Sequence, residues 1–271
     1  MLPVLATDTV TGDLARAAGY TLLWGLEGVA LRSVGGERVP FVNEAAVRRR
    51  LASDDLPVAA VDPGLFEGSA GSRAVWMNDV AAFEDTAAFC RRVGCGVVRV
   101  GALGAGGEAG ARVEALRALG ASAGRHRLRL AVRNEAGTAV ATGAELGALL
   151  AEVGLANVGA DWHPADALRS GEPALDGLDA LLARATVACV AVVDEAPADD
   201  GVLVDVSVGE GRLEWPDQLA RLAAAGFDGP LALSVHGRPS GAAGMASAGA
   251  LVRLARVAVR EARASRPSLT R

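Results

Sequence analysis

The chain has 271 residues with 27 basic and 32 acidic side chains, a formal charge of −5, and 51% apolar residues. That size suits one large α/β domain, and the dispersed, mildly acidic charge provides no basic stripe to neutralise nucleic-acid phosphates. Lysine is absent, which excludes Schiff-base chemistry, because a guanidinium does not give up its proton to become a nucleophilic amine.

The opening run Met1-Leu-Pro-Val-Leu-Ala-Thr-Asp8 has no basic segment before its apolar residues. It reads as a first strand rather than a secretory signal, so a cytoplasmic protein is expected. No charge-free stretch reaches the roughly 18 residues a membrane span needs, so no membrane association is expected. Further strand-like apolar runs occupy 28–31, 57–61, 96–100, 128–132, 158–161, 187–193 and 230–235. Helical spacing separates them, as in Leu146, Leu149, Leu150 and Val153, or Leu251, Leu254 and Val257. Thr142-Gly-Ala-Glu145 has the form of a capping box, Pro216 suits a first helical turn and Gly226 a helix stop. Eight such βα units predict a single α/β domain over 1–271, a closed (β/α)₈ TIM barrel whose usual length is about 250 residues.

Three loops are longer than a barrel requires, at 62–78, 101–110 and 195–215. Each follows a strand, which puts it on the C-terminal face where barrel sites are built. Cys90, Cys95 and Cys189 form no CxxC pair, so neither a disulfide framework nor a structural zinc site is expected.

The fifth run, 128–137, ends by bringing Arg133, Asn134 and Glu135 together. Side chains two apart share a face of a strand, so Arg133 with Glu135, Asp161 with His163, and Ser234 with His236 are all expected at the barrel mouth. Two of the three histidines of the chain fall in that set. Either His163 or His236 acts there as a general base beside Glu135 and Asp161, or the cluster is a charge-satisfied polar plug. Arg32 and Arg99, near the ends of the second and fourth strands, are candidates to hold an anion or else to form surface or loop salt bridges, and Trp162 to wall the pocket or else to pack between barrel and helices.

Taken together, Gly19-Tyr20, Gly28-Val-Ala-Leu-Arg32, Leu130-Ala-Val-Arg-Asn-Glu-Ala-Gly137, Asn157-Val-Gly-Ala-Asp-Trp-His-Pro-Ala-Asp166, Gly209-Glu-Gly-Arg-Leu-Glu-Trp215 and Gly226-Phe-Asp-Gly-Pro-Leu-Ala-Leu-Ser234 resemble the xylose isomerase-like TIM barrels. That superfamily of sugar phosphate isomerases and epimerases also holds abasic-site endonucleases. The resemblance implies a divalent metal held by a Glu, an Asp, a His and a second Glu from separate strands. In this sequence those positions fall on Arg133, Asp161, Ala191 and Ser234, and the Asp-Trp-His-Pro segment is one residue short. One Asp with Arg, Ala and Ser cannot build a divalent site. No cofactor is therefore expected, and a metal only through a shifted site using Glu135, Asp166, Asp194 or His236.

Two functions follow from the resemblance. One is an isomerase or epimerase-like protein with an altered, metal-free site that uses Glu135, His163 and His236 for proton transfer. The other is a barrel that binds a small sugar, acid or partner without turnover. In both, Arg133, Asp161, Arg32, Arg99, Trp162 and Ser234 contact the ligand, and Arg133→Ala is expected to abolish binding while leaving the fold. Nuclease activity is disfavoured by the scarcity of histidine and the acidic balance. The sequence leaves the oligomeric state open.

Overall fold

The computed structural model describes residues 1–68, 73–104, 109–235 and 241–265. Eight parallel strands close into a barrel: β1 (Leu2–Ala6), β2 (Val29–Leu31), β3 (Val58–Val61), β4 (Val97–Val100), β5 (Arg129–Arg133), β6 (Val158–Trp162), β7 (Val187–Val192) and β8 (Pro230–Leu233). Neighbours follow chain order around the ring, with β1 closing on β8. All eight expected strands are present, their ends differing by one or two residues. The main difference is at β5, which runs on through Arg133 and so carries that side chain within the strand.

Two short hairpins decorate the C-terminal face, Ser33–Val34 with Glu37–Arg38 and Asp194–Pro197 with Leu203–Val206. The second fills most of the long loop expected after the seventh strand. Of the 101–110 loop, residues 105–108 lie outside the described part of the chain.

The helices pack on the barrel as their spacing predicts. The helix Gly143–Val153 starts with the expected capping box, the Thr142 side chain accepting from the Glu145 N–H while the Glu145 carboxylate accepts from the Thr142 N–H. Its first residue sits against the carbonyl of Gly177, so close that a Cβ on Gly143 would overlap it. The helix Ala242–Ala264 is long and apolar enough, by length and composition, to cross a membrane. It lies instead on the barrel, where Leu251, Ala255 and Ala258 are buried and it contacts β1 and the helix Trp215–Ala224.

Inside the barrel the lining is small: Val4, Ala30, Ala60, Ala131, Ala188, Cys189 and Ala232 cluster there. The larger Val98, Val100, Leu130 and Val132 belong to the core between strands and helices. Small interior residues leave volume near the mouth that longer side chains can occupy.

Candidate functional site

Two arginines use that volume. Arg99 on β4 and Arg133 on β5 are each 8% exposed, and a buried guanidinium needs counter-charges to offset its desolvation. Arg99 Nε donates to Asp161 Oδ2 on β6 at 2.8 Å, and Arg133 Nη2 donates to Asp62 Oδ2, just beyond β3, at 2.6 Å. Each pair skips one strand, so the two arms cross over the top of the barrel. Burial alone would raise both carboxyls. The guanidiniums outweigh it: Arg99 and then His163 hold Asp161 far below the usual carboxylate range, and Arg133, Arg99 and Arg32 hold Asp62 below it. Both acids are therefore fixed anions.

His163 is placed by the residue that directly follows β5. Asn134, fully buried, accepts from the His163 N–H at 2.9 Å and donates to its carbonyl at 2.9 Å, pinning the residue at the end of β6. The ring Nε2 lies 3.1 Å from Asp161 Oδ2 and 3.1 Å from Arg99 Nη2, while Nδ1 faces Asp166 Oδ2 at 3.4 Å. An imidazolium donates from both nitrogens to the two carboxylates; a neutral ring protonated on Nδ1 accepts from Arg99 instead. Burial pushes the ring pKa down, but the Asp161 carboxylate and the bonds to Asp161 and Asp166 outweigh it and raise the value above 6.5.

A folded-state pKa above the unfolded one gives stabilisation that is complete below the unfolded value and disappears as pH rises through the folded value. The melting temperature of the wild type should therefore exceed that of His163→Gln most below about pH 6.5, with the gap narrowing at higher pH. Thermal melts from about pH 5 to about pH 9 would show this, and a constant gap would mean that folding does not raise the ring pKa.

Around these groups lies a cavity of about 410 Å³, lined among others by Arg32, Asp62, Arg99, Arg133, His163, Arg169, Ala191, Glu195 and Ser234. That falls within the range of roughly 300–1,000 Å³ seen for small-molecule sites. Arg32 stands at the rim with its side chain 44% exposed, 3.5 Å from Glu67 and 4.0 Å from Asp62. Arg38, from the first hairpin, reaches the same acids at 2.8 and 3.6 Å. On the β1 side, burial raises the Asp8 carboxyl, an effect only partly offset by its backbone hydrogen bond and by Arg32.

The far wall is built by the second hairpin. Asp194 accepts from the backbone N–H groups of Glu195, Gly209, Gly211 and Leu213 at 2.8 to 3.2 Å. A Cβ on Gly211 would collide with that carboxylate, which is why the Gly209-Glu-Gly-Arg212 turn can wrap it. Asp194 is thereby fully engaged in the loop and is not free to hold a metal. The adjacent Glu195 is wholly buried, lines the cavity, and is ion-paired through Oε1 to Arg169. Among the described residues its Oε2 has no hydrogen-bond partner. Burial raises its pKa, with Arg169 opposing and Asp205, Asp166 and Asp194 adding to the rise.

Of the residues expected at the mouth, Arg32, Arg99, Arg133, His163 and Ser234 line the cavity, and Asp161 backs it through Arg99 and His163. Two expectations need correction. Glu135 is exposed in the turn after β5, where its N–H donates to the Val140 carbonyl, because the strand ends at Arg133 and alternation stops there. Trp162 is buried on the outer face of β6, its Nε1 donating to Gln218 Oε1 at 2.8 Å and its ring close to Gly177, so it supports the helix layer and does not wall the pocket. His236 lies outside the described residues. Asp62 and Glu195 were not singled out from the sequence, and Asn134 was given no role, although Asp62 directly follows the apolar run 57–61 and Glu195 comes two residues after the run 187–193.

As a cation site the donor set is poor. Among the described residues no group of three His, Cys, Asp or Glu converges to hold a metal ion. Asp161 and Asp62 are already neutralised by guanidiniums, and Ala191 and Ser234 complete the strand ends. Divalent ions require several oxygen or imidazole donors, and a fixed guanidinium at contact distance repels them.

The family model described as "Xylose isomerase-like TIM barrel" matches residues 15–255. No curated protein sequence matches the chain. Among solved structures, L-ribulose 3-epimerase superposes with a TM-score of 0.77 at 12% identity, covering 100% of this chain and 99% of that one. The probable 3-DHS dehydratase AsbF from Bacillus anthracis gives 0.76 at 15% identity, covering 93% and 99%. The IOLI protein with a bound zinc atom gives 0.73 at 14% identity, covering 99% and 100%. At these identities the likeness is one of fold.

Proposed function

Since the chain belongs to the xylose isomerase-like TIM barrel family, we propose that it is an isomerase- or epimerase-like barrel for a small polyhydroxylated anion, a sugar acid or sugar phosphate, with a buried guanidinium in place of a divalent cation. The observation that carries this reading is Arg133: a cavity-lining cation with 9% of its side chain exposed, held by Asp62 through Nη2 at 2.6 Å. Charge-assisted donation to a carboxylate, phosphate or polarised carbonyl is what a rigid guanidinium does best.

In this reading Arg133 and Arg32 orient the anionic or carbonyl end of the ligand, while Asp62 and Asp161 keep the two inner guanidiniums in place. His163, held between Asp161 and Asp166, is positioned to carry a proton. Glu135 has no part in it, given its exposed position. Ala191 and Ser234 favour a second reading, a barrel that binds without turnover, since neither brings an ionisable group to its strand end.

Calorimetric titration with 2-keto-D-gluconate and D-ribulose 5-phosphate, against neutral D-fructose, tests the proposal. The anions should bind and the neutral sugar should not. A paired Arg133→Met and Asp62→Asn variant, which leaves no orphaned charge, should weaken binding roughly ten- to a hundredfold, the worth of a charge-assisted hydrogen bond. Treatment with a chelator should change nothing. Binding that required one stoichiometric divalent ion would overturn the metal-free reading.

A further inference from the structure

The cavity at the barrel mouth adjoins a second one. This second cavity, of about 780 Å³, is lined by the hairpin strand Leu203–Val206 and by Ala243 and Ser247 near the start of the last helix. Val193, Asp205 and Ser234 line both cavities, so the two meet along a common wall. We propose that they form one site whose ligand is a sugar acid carrying an apolar substituent, the anionic sugar lying in the first chamber and the substituent in the second. This rests on the reading of the first cavity as an anion site and adds to it the class of ligand.

The two chambers differ in chemistry. The first presents the guanidiniums of Arg32, Arg99, Arg133 and Arg169. The second is walled largely by Val193, Val204, Val206, Val208, Val235 and Ala243, and among the described residues no basic side chain lines it. Of its acids, Asp194 is spent on four backbone N–H groups, Asp205 stands on the common wall and Glu210 sits in the turn after the hairpin. An anionic end is repelled by these acids and attracted by the arginines, which fixes the direction in which such a ligand lies.

The apolar wall is also prepared for an occupant. Val204 lines the second chamber while 44% exposed, so a substituent lodged there removes apolar surface from water on both sides of the contact. The chamber is held open by backbone bonds rather than by its filling: Asp194–Pro197 pairs with Leu203–Val206, and Val208 N donates to Ser247 Oγ at 3.3 Å, tying the chain after the hairpin to the helix. A preformed chamber costs little ordering when it is filled. Its volume is in the range of roughly 300–1,000 Å³ found for small-molecule sites, ample for an aromatic ring.

Calorimetric titration compares 4-nitrophenyl β-D-glucuronide with D-glucuronate, which lacks the apolar group, and with 4-nitrophenyl β-D-glucoside, which lacks the charge. The glucuronide should bind roughly ten- to a hundredfold more tightly than either. Val204→Asn, at an exposed position, should remove about threefold or more of that gain, and Ala243→Trp, which fills the chamber, nearly all of it. D-glucuronate affinity should be unchanged in both, with thermal melts confirming the fold. Equal affinity for the glucuronide and D-glucuronate overturns the inference and leaves the anion site of the previous section, as does a gain undiminished in Val204→Asn or in a folded Ala243→Trp. Exclusion of the glucuronide while 2-keto-D-gluconate binds does the same. A glucoside that binds as tightly as the glucuronide overturns the joining of the two chambers. If neither D-glucuronate nor 2-keto-D-gluconate binds, the anion reading itself is overturned.

Discussion

Replacing Arg133 with alanine is expected to destabilise the protein by about 3–5 kcal/mol, because it strips the counter-charge from a buried carboxylate. Asp62 is 3% exposed, and Arg133 approaches it most closely, at 2.6 Å, with Arg38 at 3.6 Å and Arg32 at 4.0 Å. The sequence alone suggests that this substitution spares the fold; the buried ion pair argues otherwise. Denaturant titrations of Arg133→Ala, Asp62→Asn and the double variant would measure the effect. The double variant should recover most of the loss, since removing both members of a buried pair removes the orphaned charge. If it is no more stable than Arg133→Ala, the pair is not what Arg133 contributes.

The second large effect is expected at Asp161. It is wholly buried and serves two cations, Arg99 and His163. Asp161→Ala should cost about 3–5 kcal/mol for the same reason as above, leaving Arg99 buried with no carboxylate at contact distance among the described residues. It should also lower the pKa of His163, whose imidazolium would retain Asp166 but lose the nearer carboxylate. Ring-proton NMR titration distinguishes this from simple loosening of the fold, and a His163 titration unchanged in the variant would rule out Asp161 as the group that holds the ring charged.

The barrel was legible because its signals are local and repeated. Apolar runs such as 187–193, helix spacing such as Leu146 to Val153, and the Thr142 to Glu145 box each act over a few residues, and the structure has all of them. Arg99, Arg133, Asp161 and His163 were legible for a related reason, lying at or beside strand ends where period-two alternation still applies. Glu135 was misplaced because alternation holds only while the strand continues, and β5 stops two residues earlier. Trp162 was misplaced by its neighbours: it sits between two mouth residues, and parity alone would have turned it outward.

Glu195 was hidden for the opposite reason. It follows β7 but faces the cavity only because the chain folds back as a hairpin around Asp194, a contact between 194 and 209–213 that no local pattern encodes. The crossed pairing of Arg133 with Asp62 is likewise a product of barrel closure, spanning 71 residues of sequence.

The arginines around the cavity also determine what cannot happen there. Arg32, Arg99, Arg133 and Arg169 bring guanidinium donors to the cavity with no amine among them, and the chain has no lysine to lend one. An aldehyde or ketone can rest against that charge without condensing to an imine, and the charge is not discharged as the medium becomes alkaline. A reactive carbonyl compound would thus be held in the cavity by reversible contacts alone and released with its carbonyl never captured by a lysine.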